Sequence, residues 1–68
     1  MSIFTPIFSH GDRVDVYDKR GTENGSVEFT GKIVGRIRMQ PMHYDVELDS
    51  ERKREVGIPE YRIRHKTQ

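Results

Sequence analysis

A chain of 68 residues, 32% hydrophobic and 34% charged, holds one domain with a modest core in which every buried position counts. With no cysteine, disulfides and thiolate metal sites are excluded, and self-association is left as the remaining staple of a small scaffold. The net charge of +1 is too near balance for a protein whose affinity rests on many phosphate contacts.

No apolar run approaches the length of a membrane span, and MSIFTPIFSHGDR shows neither a basic leader nor a long apolar region. No membrane partner and a cytoplasmic location are therefore expected. The charge is unevenly spread. Residues 1–31 set Asp12, Asp15, Asp18, Glu23 and Glu28 against Arg13, Lys19 and Arg20, whereas residues 51–68 set six Lys and Arg against Glu51, Glu55 and Glu60.

Ile3, Phe4, Ile7 and Phe8 around Pro6 follow neither helix nor strand period, and the proline keeps them extended. Residues 1–10 are read as an extended N-terminal arm, either lying across one mouth of its own core or docked on a neighbouring subunit. His10, Gly11 and Asp12 make a turn, and Arg13 to Tyr17 is a short strand with Val14 and Val16 inward. DKRGTENGS, residues 18–26, is a polar loop with turn chemistry at Arg20-Gly21 and Asn24-Gly25, long enough to flank a binding surface.

Val27 to Met39, VEFTGKIVGRIRM, alternates without a break. Its odd positions read Val, Phe, Gly, Ile, Gly, Ile, Met and its even positions Glu, Thr, Lys, Val, Arg, Arg, the period of a long strand with one buried face. Gly31 and Gly35 inside it mark bending or close backbone approach. Gln40 to His43 breaks the pattern, and Tyr44 to Leu48 resumes it with Tyr44, Val46 and Leu48 on one side.

Asp49 to Lys53 is a charged hairpin turn, and Arg54 to Ile58 a strand with Val56 and Ile58 inward. Pro59-Glu60-Tyr61 suits a single helical turn before a last strand, Arg62 to Arg64.

Five strands, a polar loop after the first, a bent second strand and one helical turn before the last match the order of an all-β, five-stranded SH3-like barrel over residues 11–65, with 66–68 as a tail. The expected core is Val14, Val16, Val27, Phe29, Ile33, Ile37, Tyr44, Val46, Leu48, Val56, Ile58 and Ile63.

Gly11-Asp12-Arg13-Val14, Gly31-Lys32-Ile33-Val34-Gly35, Tyr44-Asp45-Val46-Glu47 and Val56-Gly57-Ile58-Pro59 fall in an order and spacing that resembles the plasmid-borne type II dihydrofolate reductases, over most of the chain from Phe4 to Ile63. In that family four small barrels surround one pore, and a Val-Gln-Ile-Tyr strand from each subunit holds folate and nicotinamide rings. The resemblance implies the fold, self-association and, for a reductase, NADPH as cofactor, with Val56, Gly57 and Ile58 on the matching strand. Gly57 stands in place of the glutamine, and Pro59 follows directly, so the active-site strand is not retained: neither residue has a side chain that bonds an amide edge. No lysine falls at the matching place after Val14.

A conventional catalytic site is not visible. His10, His43 and His65 have no spacing that pairs them, and they read as surface histidines. Asp45 and Glu47 share an outer strand face as a solvated pair. Lys32, Arg36 and Arg38 on the long strand and Arg62 and Arg64 on the last could form a cationic stripe, with Tyr17, Tyr44 or Tyr61 supplying ring faces for bases or proline rings. The same charges also protect a sheet edge, and Asp45, Glu47 and Asp49 neutralise part of them. Arg52-Lys53-Arg54 reads as a soluble hairpin tip. Gly57 in an apolar strand marks either a bulge or a close subunit contact.

The expectation is a small non-enzymatic binding module that engages a nucleic acid or protein partner through Tyr17, Lys32, Arg36, Arg38, Tyr61, Arg62 and Arg64. It needs no cofactor or metal. The alternative is a homotetrameric, NADPH-dependent type II reductase, or an inactive relative that keeps the assembly.

Overall fold

The β-branched runs form strands where the sequence places them. In the computed structural model, which describes residues 7–66, β1 is Arg13–Tyr17, β2 Val27–Ile37, β3 His43–Leu48, β4 Arg54–Pro59 and β5 Ile63–His65. They make one antiparallel sheet in the order β4-β3-β2-β1-β5. A four-residue helical turn, α1 (Gly21–Asn24), lies inside the polar loop, and a 3-10 turn, Glu60–Arg62, precedes β5 as expected. The architecture is all-β. Most of the arm expected over residues 1–10 lies outside the described residues. Among the described residues no helix is long and apolar enough to cross a membrane.

The core lies on one face of the sheet: Val14, Val16, Ile33, Tyr44, Val46, Ile58 and Ile63, joined by Phe8 and Met42. Phe29 is partly buried against it. β2 runs so close to β3 that a Cβ on Gly31 would strike the Glu47 carbonyl oxygen, so the expected close approach is real there.

Three expected core residues, Val27, Ile37 and Val56, are exposed instead, at 47%, 46% and 67%. One cause accounts for all three. Each lies at or beyond a one-residue register shift, and a shift of one residue moves a side chain to the opposite face. Val16 pairs with Phe29 but Tyr17 pairs with Val27, so Glu28 is the extra residue and Val27 joins Tyr17 on the outer face. Ile33 pairs with Val46 but Gly35 pairs with Asp45. Val34 is therefore extra, Arg36 comes opposite buried Tyr44, and Ile37 turns outward opposite His43.

On β4, Tyr44 pairs with Ile58 and Val46 with Glu55, leaving Val56 and Gly57 together against Asp45. Gly57 takes φ +67°, a left-handed conformation that glycine adopts without steric penalty, and its N–H donates to Asp45 Oδ1 at 3.1 Å. Gly57 is thus a bulge, the first of the two expectations for it. Val56 and Ile58, expected side by side inward, lie on opposite faces. Phe29 and Ile37 do so too, and β2 ends at Ile37 rather than Met39.

Phe8 and Met42, from outside the strands, are buried in the core as well. Phe8, 2% exposed, packs edge-on against Tyr44 with ring centroids 5.2 Å apart and against His65 at 4.6 Å. The Tyr44 hydroxyl, at the end of a fully buried side chain, accepts the Ile7 N–H at 3.2 Å. Phe8 and the Ile7 amide are therefore tied to their own sheet, while the Ile7 side chain is exposed. Met42, just before β3, has the flexible side chain suited to an irregular gap, and its carbonyl accepts the Glu60 N–H at 2.9 Å.

Candidate binding surface

The loop between β1 and β2 is organised by one carboxylate. Asp18 accepts the Arg20 N–H at 2.9 Å, the Arg20 guanidinium at 2.8 and 3.3 Å, and the Ser26 N–H at 3.2 Å. Its backbone closes the loop as well: Asp18 N–H donates to the Ser26 carbonyl at 3.0 Å, and Gly21 N–H donates to the Asp18 carbonyl at 2.9 Å. The Arg20 side chain, then the Arg20 and Ser26 amides, hold the Asp18 carboxyl well below the usual carboxylate range. The same hydrogen bond and charge raise the Arg20 guanidinium further.

Braced in this way, α1 sits against the 3-10 turn. Gly21 is buried where a Cβ would approach the Tyr61 carbonyl oxygen to 3.2 Å. Between them runs a shallow groove of about 330 Å³ lined by Arg20, Gly21, Thr22, Glu23, Asn24 and Tyr61. Tyr61 is 56% exposed, so its ring is available from solvent.

Next to the groove the structure gathers three more of the expected partner-binding residues. Arg62 Nε donates to the Tyr17 carbonyl at 2.9 Å, and its Nη2 to Glu28 Oε1 at 3.2 Å. The Arg64 guanidinium lies 5.6 Å from the centre of the Tyr17 ring, a cation–π distance, with Nη2 3.5 Å from the Thr22 carbonyl. Arg62 ties the 3-10 turn to β1 and β2, and Arg64 ties β5 to β1 and to the loop.

Lys32, Arg36 and Arg38 do not join them. Lys32 lies on the outer face, across from Arg13 on β1 and Glu47 on β3, and Glu47 faces Arg54 on β4. Signs are mixed along that row, and Arg13 is bound to Asp49 at 2.7 Å. The shift at Val34 carries Arg36 to the other side of the sheet, at a notch of about 290 Å³ with Phe8, His10, Ile33 and Gly35. Arg38 lies beyond the end of β2. The single cationic stripe across β2 and β5 is therefore not formed: the shift at Val34 takes Arg36 off the outer face, Arg38 lies past the strand end, and Lys32, still on the outer face, stands in a row of mixed sign. Tyr44, the third ring considered for stacking, is fully buried.

Sequence reading missed Asp18 as the brace, together with Thr22 and Glu28. The available signal was an aspartate two residues before Arg20 and ahead of an Asn-Gly turn, where short acidic side chains bond nearby amides. The histidines remain apart in role: His65 Nε2 lies 3.3 Å from Asp12 Oδ2, and His43 Nδ1 lies 2.7 Å from the Pro41 carbonyl oxygen. The Ser9 N–H and then His65 lower the Asp12 carboxyl. Among the described residues no group of three or more His, Asp or Glu is placed to hold a metal ion. Comparison of the chain with known protein families, curated proteins and solved structures finds no match.

Proposed function

We propose that this chain is a small non-enzymatic binding module of the SH3-like kind, and that it takes an extended polypeptide segment in the groove between the braced loop and Tyr61. The observation that carries this reading is the exposed Tyr61 ring beside a loop whose shape is held by Asp18. An aromatic face on a rigid wall suits a proline-rich or similarly extended peptide, which loses little entropy on docking. The cations nearby support a protein over a nucleic acid: Arg20 is paired with Asp18 and Arg62 with Glu28, so few charges are left to displace counterions from phosphates.

The test is a titration of the isotope-labelled chain with extended peptides and, separately, with single-stranded oligonucleotides. Peptide-induced shifts confined to residues 20–24 and 61, lost in Tyr61→Ala and little changed by salt, support the reading. Oligonucleotide binding that weakens steeply with salt, with no peptide binding, would replace it with the nucleic-acid form.

A second reading, a self-assembling relative of the type II reductases, is favoured by Val56 standing 67% exposed on edge strand β4. Its test is solution mass together with the effect of NADPH on the melting temperature. A tetramer stabilised by the dinucleotide supports it, and a monomer indifferent to it disposes of it.

A further inference from the structure

Exposed Asn24 and half-buried Gly25 form a pair whose chemistry the binding reading does not use. In such a pair the backbone nitrogen of the second residue can reach the side-chain carbonyl carbon of the first with little obstruction, because glycine has no Cβ. Here that nitrogen is held elsewhere. Gly25 N–H donates to the Gly21 carbonyl at 2.9 Å, closing α1.

The Gly25 Cα lies so tightly on Asp18 that a Cβ would strike Asp18 Oδ1, and would also stand 2.7 Å from the Gly21 carbonyl oxygen. Asp18 Oδ2 accepts the next amide, Ser26 N–H, at 3.2 Å. Turning the Gly25 nitrogen towards Asn24 Cγ rotates the intervening peptide and breaks the bond to Gly21.

We infer that Asn24 is a spontaneous deamidation site gated by the Asp18 brace, slow while the loop is closed and fast once it opens. In the open loop the Gly25 amide gives its proton to solvent base and its nitrogen bonds to Asn24 Cγ. The Cγ–Nδ2 bond breaks, and ammonia leaves with a returned proton. Water then opens the resulting five-membered imide at either carbonyl, giving aspartate or isoaspartate. Net, one water enters and one ammonia departs, with no oxidant or reductant.

The product adds a carboxylate next to Glu23 in the groove facing Tyr61. In the isoaspartate form the extra backbone methylene pulls Gly25 away from Gly21. A change in peptide binding as a result rests on the proposed binding function, whereas the gating itself does not.

The experiment incubates the full chain in mildly alkaline buffer and follows the amide-to-acid mass gain and isoaspartate in the peptide containing residues 24 and 25. The native chain should deamidate at least about tenfold more slowly than the same chain in urea, since only the opened fraction reacts. Asp18→Ala, shown to be folded by circular dichroism, should approach the urea rate, and Asn24→Gln should remove the signal at this peptide. If Asp18→Ala does not fold, Arg20→Ala, which withdraws one partner of the brace, should fall between the native and urea rates.

Equal rates for the native and urea-unfolded chain would overturn the inference. So would native-like rates in a folded Asp18→Ala chain, or in Arg20→Ala where Asp18→Ala does not fold. Failure of peptide binding leaves each of these rates untouched.

Discussion

Ile33→Ala and Ile37→Ala are the pair of substitutions that separates a strictly alternating β2 from one shifted at Val34. Strict alternation buries both side chains equally. The register instead sets Ile33 against Val46 in the core at 2% exposure and turns Ile37 outward opposite His43 at 46%. Removing a fully enclosed isoleucine loses its transfer free energy and leaves a cavity, about 2–5 kcal/mol. Removing a half-exposed one leaves no enclosed cavity and loses about half of the 1.5–3 kcal/mol for burying such a side chain, roughly 1 kcal/mol.

A domain of this size has a total stability of only about 3–10 kcal/mol. Ile33→Ala should therefore shift the urea midpoint by roughly 2 M or more at a slope near 1 kcal/mol/M, and Ile37→Ala by roughly half of that or less. The assay is urea unfolding followed by far-ultraviolet circular dichroism. Equal midpoint shifts for the two variants, or an Ile33→Ala chain as stable as the parent, would refute the register and with it the placement of Arg36.

Phe8→Ala should lose about 3–5 kcal/mol in the same assay, since its ring is enclosed between Tyr44 and His65; a loss under about 1 kcal/mol would remove Phe8 from the core. Gly57→Ala meets no atom within 4 Å, so its expected loss of about 1–2 kcal/mol comes from the left-handed backbone alone, and Gly57→Asn should lose less than Gly57→Ala. Asp18, depressed in the folded chain, contributes stability that is present above its unfolded pKa of about 3.9 and is lost as pH falls towards its folded value. Asp12 titrates in the same direction, so an acid titration of Asp18→Asn should show a smaller loss of stability below about pH 4 than the parent, without becoming flat; identical slopes would show that the Asp18 brace adds nothing.

Much of the fold was legible because alternation, turn residues and proline act over a few neighbours. β1, the polar loop, the start and end of the hairpin at Asp49 to Lys53, and the turn before β5 all appear where local chemistry puts them. Val14, Val16, Ile33, Tyr44, Val46, Ile58 and Ile63 were legible as core for the same reason. Gly57 announced its bulge, since a strand interior rarely keeps glycine without one. At the candidate surface Tyr17, Arg62 and Arg64 come together beside the groove that Tyr61 lines, whereas Arg36, expected on the same face as Lys32, is carried to the other face by the parity break at Val34.

By itself the sequence determined the all-β character, the strand order along the chain and which residue types bend it, because these follow from backbone preferences and side-chain period. Only the tertiary structure decided that Glu28 and Val34 are extra residues in β2 and that Val56 and Gly57 together oppose the single residue Asp45. It also decided that Phe8 and Met42, rather than Val27, Ile37 and Val56, complete the core. The physical reason is that a bulge is a property of two paired strands and the twist between them, so neither strand's own sequence records on which side of it a side chain will emerge.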